Sequence, residues 1–204
     1  MAGSITTFES AARSFAGLVH RIPGDRWDGP ELGDWDLRSL VGHTSRSLIT
    51  VSTYLETSAE REDVATPQAY YARIREVASD AGADAIVERG RQAGRDLGAD
   101  PAGTIDELVQ RVLGELASTD NPLIEVIGGL GIRLQTYLPT RTFELAVHGL
   151  DIARATGLSF TLPEDVLDEA TVLAARIGVA TGQGETVLLS LTGRTALPPS
   201  FSVV

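Results

Sequence analysis

The sequence predicts a mainly α-helical protein, an antiparallel helical bundle with a small β-hairpin near the C-terminus. Three observations favour this fold class. Apolar residues recur at helical spacing through most of the 204 residues. The segments with this period begin at capping residues and end at Gly or Pro. Apolar residues make up 43% and charged residues 22% of the chain, which is typical of a globular domain with a sizeable core.

The first two helices are predicted from apolar stripes with clear boundaries. The first helix covers about residues 8–22, and Pro23 with the following glycine ends it. Asp36 is a suitable N-cap for the second helix, whose apolar stripe continues to about residue 55.

The next two helices are predicted mainly from their start signals. Thr66 and Pro67 provide a cap and a proline at the first helical position, and the segment continues to about residue 97. Three glycines are expected to bend this third helix: Gly82, Gly90 and Gly94. Thr104 and Glu107 have the spacing of a capping box, which predicts a shorter fourth helix to about residue 117.

The chain beyond residue 120 is predicted to contain two more helices. Residues 121–134 form either a short hairpin or an irregular connection. A strong helical pattern then covers about residues 138–155 and ends at Gly157. Pro163 opens the last predicted helix.

The last 20 residues are predicted to differ from the rest. Residues 187–191 and 201–204 are rich in Val, Leu and Phe and flank turn residues, which predicts a pair of short strands. We expect residues 1–160 to form the helical bundle, and residues 161–204 to add a helix and this strand pair to the same domain.

The charge of the protein restricts its partners. A formal net charge of -11 repels nucleic acid and anionic membrane surfaces, so neither is an expected partner. The N-terminus has no basic region followed by an apolar run, and no segment resembles a membrane span. We therefore expect a cytoplasmic protein.

Two missing residue types exclude several reactions. The sequence has no Cys, which excludes disulfides, thiolate metal ligands and a cysteine nucleophile. All 17 basic residues are Arg, so Schiff-base catalysis by lysine is excluded as well.

The predicted helix around residue 145 carries a narrow polar stripe on an otherwise apolar surface. Its members are Tyr137, Arg141, Glu144, His148 and Asp151. Polar groups in apolar surroundings are costly unless they are paired or metal-bound, which favours an internal cavity lined by this stripe. A narrow stripe facing solvent is the alternative.

Histidine positions suggest a metal site. Glu144 and His148 are four residues apart, so both can reach one ion from the same helix face, although two acidic neighbours of His148 are close to the chance expectation. His20 lies on the exposed face of the first helix and is expected to be structural. His43 borders the apolar stripe of the second helix and either turns toward a neighbouring helix or is simply half-buried.

Two segments carry a resemblance to a known family. Residues 35–43 read Trp-Asp-Leu-Arg-Ser-Leu-Val-Gly-His, and residues 141–151 read Arg-Thr-Phe-Glu-Leu-Ala-Val-His-Gly-Leu-Asp. These segments resemble the two signatures of the DinB-like superfamily, specifically the N-terminal domain of mycothiol-dependent maleylpyruvate isomerase. Residues 191–194 and 197–198 are similar to the tail of related short members.

The resemblance implies a four-helix bundle with a divalent metal ion, commonly zinc, and a small thiol such as mycothiol. It implies His43, Glu144 and His148 as the metal ligands. Arg141 is expected to hold a substrate carboxylate or to orient a ligand. Trp35, Tyr137 and Asp151 are candidates for cofactor binding, and Asp151 either accepts the free ring N–H of His148 or pairs locally.

The function expected from these features is thiol-dependent transfer or isomerisation on an unknown small substrate. Maleylpyruvate isomerisation does not carry over, because that enzyme has a separate C-terminal domain and only some 40 residues follow Pro163 here. A metal- or ligand-binding bundle without turnover is the alternative. Association into a homodimer is left open.

Overall fold

A computed structural model describes residues 3–32, 35–81 and 83–204. Helices account for 66% of the described residues, which confirms the mainly α-helical prediction. The α-helices among the described residues are α1 (Ser4–Val19), α2 (Leu37–Leu55), α3 (Pro67–Ala81), α4 (Ala83–Asp96), α5 (Pro101–Ala117), α6 (Leu134–Thr156), α7 (Glu164–Ala180) and α8 (Gly184–Leu191). The strands are β1 (Pro30–Leu32), β2 (Trp35–Asp36), β3 (Leu123–Val126) and β4 (Leu130–Arg133).

The core lies where α1, α2 and α6 pack against one another. Helix α6 contacts both α1 and α2, while α5 packs on α1 and α2 from another side. Phe8, Phe15, Leu40 and Tyr137 are among the largest fully buried side chains. Phe8, Phe15 and Leu40 occupy the apolar stripes that predicted their helices, whereas Tyr137 belongs to the polar stripe of α6 and is buried all the same.

The predicted third helix is two helices, α3 and α4, and Gly82 lies outside the described residues. Gly94 lies within α4, where it allows close packing on α2. A Cβ on Gly94 would lie 2.9 Å from the Cα of Ser39, and a Cβ on Gly42 would collide with the backbone of Gly94. These two glycines therefore set the distance between α2 and α4.

The predicted capping box does not open α5. The helix begins earlier, at Pro101, because Asp100 is its N-cap and accepts a hydrogen bond from the backbone N–H of Gly103 at 3.1 Å. Thr104 lies inside the first turn, and its hydroxyl contacts the carbonyl oxygens of Leu97 and Asp100. Proline at the first helical position gives an earlier and stronger start signal.

The segment after α5 is a hairpin, which confirms one of the two alternatives for residues 121–134. Strands β3 and β4 pair antiparallel. Gly128 and Gly129 in the connection have positive φ values of 78° and 70°, a conformation that favours glycine. Helix α6 follows directly, and the Asn121 side chain accepts a hydrogen bond from the backbone N–H of Gln135, in the first turn of the helix, at 2.8 Å.

The predicted C-terminal strand pair is wrong. Residues 187–191 belong to helix α8, and residues 201–204 have no regular structure. Val187 packs against Gly178 of α7, where an added Cβ would lie 2.9 Å from the Val187 Cγ2 atom. This contact holds α8 against α7 although Leu188 and Leu191 stay exposed, and leucine is a good helix former.

Helix α7 packs on α1, α3 and α6, and its apolar face joins the same core cluster as the rest of the bundle. None of the described helices combines the length and the hydropathy that crossing a bilayer requires.

Candidate metal centre

The three side chains proposed as metal ligands meet between α2 and α6. His43 comes from α2, and Glu144 and His148 lie one turn apart on α6. One potential ligand atom from each lies within 4.8 Å of the others. The packing of α2 on α6 therefore creates a group with the composition of a metal site from residues that are about 100 positions apart.

Glu144 and His148 already have a spacing that suits a shared ion. The Nε2 atom of His148 lies 3.3 Å from the Oε2 atom of Glu144. Two ligands bound to one tetrahedral zinc ion at about 2.1 Å lie roughly 3.4 Å apart. The same distance also suits the ion pair that these groups form without a metal.

Asp151 lies beside the second ring nitrogen of His148, Nδ1. Its Oδ2 atom lies 3.3 Å from Nδ1 of His148, so a proton on Nδ1 is directed to Asp151 and Nε2 faces Glu144. A local ion pair is the weaker alternative, because the closest approach of Arg154 to Asp151 is 4.0 Å and the Arg154 side chain is 81% exposed. This geometry favours the role of Asp151 in orienting His148.

Tyr71 of α3 is a member of the site that the sequence did not reveal. Its hydroxyl lies 2.9 Å from Oε1 of Glu144 and 3.1 Å from the carbonyl oxygen of Thr140. The two carboxylate oxygens of Glu144 thus face different partners, Tyr71 and His148. No motif in residues 60–130 pointed to Tyr71, because only the packing of α3 on α6 brings it to the site.

His43 is held by aromatic contacts and leaves a nitrogen without a partner. Its ring lies 4.4 Å from the Trp35 ring and 5.1 Å from the His148 ring, measured between centroids. Its Nδ1 atom is buried and has no hydrogen-bond partner among the described residues. Burying such a nitrogen costs free energy unless it has a hydrogen-bond partner or binds a metal ion.

Burial and local charges set the ionisation of the three side chains. Burial, together with the positive charge of His148, lowers the pKa of His43 to about 4. Burial opposes a charge on His148, but hydrogen bonds to Asp151 and Glu144 raise its pKa to about 9. Burial likewise opposes ionisation of Glu144, yet its hydrogen bond with His148 and the charge of Arg141 lower its pKa to about 2. At neutral pH the metal-free site therefore holds a neutral His43 beside an ionised pair.

A cavity of about 240 Å³ adjoins the candidate ligands. His43 and Glu144 line it, together with Tyr137 and Arg141 of the polar stripe. The expectation that this stripe lines a cavity is thus confirmed for Tyr137, Arg141 and Glu144. An ion held by the three ligands would lie at the edge of this cavity.

The remaining predicted site residues have structural contacts. Trp35 stacks on His43, and its Nε1–H donates to the carbonyl oxygen of Val87 at 3.0 Å. Tyr137 is fully buried, and its hydroxyl donates to the Thr50 Oγ1 atom at 3.1 Å.

His20 lies on the surface in contact with Asp106, at 2.8 Å, and contributes no ligand to the group of His43, Glu144 and His148.

A larger cavity of about 680 Å³ lies beside α7. It shares no lining residue with the candidate ligands, and its wall includes Glu164, Asp165, Asp168 and Glu169. Glu164 and Asp165 occupy the first turn of α7, where the helix dipole stabilises negative charge. The smaller cavity is the better candidate for chemistry because, unlike this one, it is lined by His43 and Glu144.

A family model described as the mycothiol maleylpyruvate isomerase N-terminal domain matches residues 8–153. The chain belongs to this family. The matched part contains the complete candidate centre, including Tyr71 and Asp151, and also the middle of the chain that carried no recognised signature. Residues 154–204, with the tail similar to short family members, lie outside the match. No curated protein and no solved structure matches the chain.

Proposed function

We propose that this member of the family is a divalent-metal-dependent enzyme that activates mycothiol or a similar small thiol for transfer to, or isomerisation of, a second small substrate. The observation that carries the proposal is the meeting of His43, Glu144 and His148 at the edge of a cavity, with the buried Nδ1 atom of His43 lacking a partner among the described residues.

The donor set suits zinc. Two imidazole nitrogens and one carboxylate oxygen are common zinc ligands, and three protein ligands leave a further position for an exogenous group. A bound zinc ion would lower the pKa of a thiol toward neutrality. Because the chain has no Cys, the sulfur has to come from a small molecule.

Neighbouring side chains support this function by orienting the ligands. Tyr71 orients Glu144 and Asp151 orients His148, since each lies within hydrogen-bonding distance of its partner. Trp35 contributes to cofactor binding by holding the His43 ring. Arg141 and Tyr137 border the cavity and are proposed to contact the second substrate.

Metal content provides the first test of the proposal. Untagged protein loaded with zinc and then dialysed should retain about one equivalent. The variant His148→Ala should lose it, whereas His20→Ala, which removes a surface histidine in contact with Asp106, should retain it. Equal zinc content in wild type and His148→Ala would refute the ligand assignment.

Calorimetry with mycothiol provides the second test. The zinc-loaded protein should bind the thiol and release a proton, and the metal-free protein should not bind it. Proton release is measured by repeating the titration in buffers with different ionisation enthalpies. Zinc retention without thiol binding would favour the alternative, a metal-binding bundle without turnover.

A further inference from the structure

The large apolar side chains that remain exposed are concentrated at the C-terminal end of the chain. Among the described residues most of them lie between positions 167 and 204, and Ile49 and Ile127 are the exceptions. Helix α8 is the extreme case, because half of its residues are Val or Leu and none of them is buried. Exposed apolar side chains that form one continuous patch mark a surface of association.

The outward face of α8 continues onto α7. Leu188 and Leu191 are 62% and 73% exposed, and they follow Gly184 by one and two turns on the same helix face. An added Cβ on Gly184 would lie 2.9 Å from the Cγ2 atom of Val179, which is itself 68% exposed. Val179 and Val172 both line a groove of about 390 Å³ on α7. We call Val172, Val179, Leu188 and Leu191 the α7–α8 face.

This part of the chain lacks the negative charge that dominates the protein. The formal net charge of the chain is -11, but residues 176–204 contain two arginines and one glutamate, so the formal charge of their side chains is +1. Two copies that approach each other through this region avoid the repulsion between their acidic surfaces. The α7–α8 face is therefore suited to contact between two copies of the chain.

The charges at the ends of α8 are complementary to those of a second α8. Glu185 lies in the first turn and Arg194 just beyond the last, with Leu188 and Leu191 between them at equal steps of three residues. Both charged side chains are exposed, and neither has an ion-pair partner among the described residues. If two α8 helices lie antiparallel across a two-fold axis, each Glu185 meets an Arg194 and each Leu188 meets a Leu191.

We infer that the protein forms a homodimer through the α7–α8 face, with α8 antiparallel to α8 of the second copy. Glu185 pairs with the partner subunit's Arg194, and the leucines form the apolar centre of the contact. The inference goes beyond the proposed function and depends on neither metal nor thiol.

The size of the face limits the strength of the dimer. Interfaces of standard size bury about 800 Å² per partner and involve roughly 20–30 residues a side. One short helix and one face of α7 supply fewer residues, so the dimer should be weak, with a Kd on the order of 10 μM.

Sedimentation equilibrium from about 1 to 500 μM tests the association, because mass action shifts a weak dimer across this range. Leu188→Glu and Leu191→Glu should each weaken the dimer at least about tenfold, since the two-fold axis places every substitution at two contacts. Ile49→Glu is the matched control, because it puts the same charge in place of an exposed apolar residue of α2, and it should dimerise like wild type. A wild-type protein that is monomeric at about 500 μM, or equal dimerisation of wild type and Leu191→Glu, would overturn the inference.

Charge reversal tests the antiparallel arrangement. Glu185→Arg places arginines opposite each other at both ends of the helix pair, and Arg194→Glu does the same with glutamates, so each variant alone should dimerise less than wild type at low salt. An equimolar mixture of the two variants restores opposite charges in a heterodimer and should recover association. A mixture that stays monomeric would overturn the pairing of Glu185 with Arg194.

Two further measurements complete the test. Circular dichroism should show the wild-type helix content in every variant, because all the substituted side chains are exposed. Flotation with neutral phosphatidylcholine vesicles examines the other apolar occupant, a lipid surface. Wild-type protein that stays monomeric and binds the vesicles, with Leu191→Glu unable to bind them, would assign the face to lipid and overturn the homodimer.

Discussion

The hydroxyl of Tyr71 lies 2.9 Å from the Oε1 atom of Glu144, so a side chain of α3 orients a carboxylate that α6 offers to the candidate centre. Because His148 faces the other oxygen, Glu144 is constrained from both sides. Ligands held in this way lose little freedom when an ion binds.

Removing this contact should weaken metal binding. Tyr71→Phe is expected to lower zinc affinity by about 10- to 100-fold, the range typical of partners that orient a ligand. Competition with a chromophoric chelator measures the change. Tyr70→Phe is the control, because it removes a neighbouring hydroxyl that does not hydrogen bond to Glu144. Equal affinities for wild type and Tyr71→Phe would show that the contact is only structural.

The charge of Asp151 should control the ionisation of His148. Asp151→Asn keeps an acceptor for the ring N–H but removes the negative charge, so the pKa of His148 should fall from about 9. Titration of the His148 ring signals by NMR in the metal-free protein measures this. Asp168→Asn, an exposed acid on α7, should leave the His148 titration unchanged.

Zinc affinity should depend on pH through His148. With its pKa raised to about 9, His148 must lose a proton before Nε2 can bind zinc, whereas His43, with a pKa of about 4, is already neutral. Apparent affinity should therefore rise about tenfold per pH unit between pH 7 and 9, which is a slope of one proton. If zinc affinity does not change across this range, zinc binding does not remove a proton from His148.

The stability of the metal-free protein should pass through a maximum near pH 6.5. The raised pKa of His148 gives a contribution that is complete below about 6.5 and is lost as the pH rises through 9. The lowered pKa of His43 gives the opposite dependence, with a contribution that is lost as the pH falls from about 6.5 to 4.

Urea unfolding at a series of pH values measures both limbs of this dependence. His148→Gln should remove the decline in the free energy of unfolding above pH 6.5, and His20→Gln should leave it in place. If the decline persists in His148→Gln, another group is responsible.

Close packing of α2 on α4 should make Gly42 intolerant of a side chain. A Cβ there would collide with the backbone of Gly94, so Gly42→Ala is expected to lower the free energy of unfolding by about 1–3 kcal/mol. Gly114→Ala is the matched control, since a Cβ there meets nothing within 4 Å. The control should be neutral or more stable by up to about 1 kcal/mol, because alanine favours helix. Equal stability of Gly42→Ala and wild type would contradict the packing.

Helix α6 shows how much of the fold local sequence determined. Its apolar pattern and the stop at Gly157 predicted the helix, and its polar stripe predicted a cavity that Tyr137, Arg141 and Glu144 now line. The predicted start is one turn late, because Asn121 binds the first turn from the other side of the hairpin and helical periodicity contains no sign of that contact.

The C-terminal segment shows where local sequence was insufficient. The run of Val and Leu in residues 187–191 suits a strand as well as a helix, and only the surface of α7 around Gly178 decides between them. In the same way, α5 begins after the N-cap Asp100 and not at the capping box of Thr104, although both signals were present in the sequence.

For the candidate site, the sequence by itself placed Glu144 and His148 on one face of a single helix, because the two residues are four positions apart. It determined too that any sulfur nucleophile must come from outside the chain. Only the tertiary structure decided that Tyr71 contacts Glu144 and that Arg46 shares a cavity with Arg141. These contacts join separate helices, and helical periodicity fixes the face a residue occupies but not the helix that packs against it.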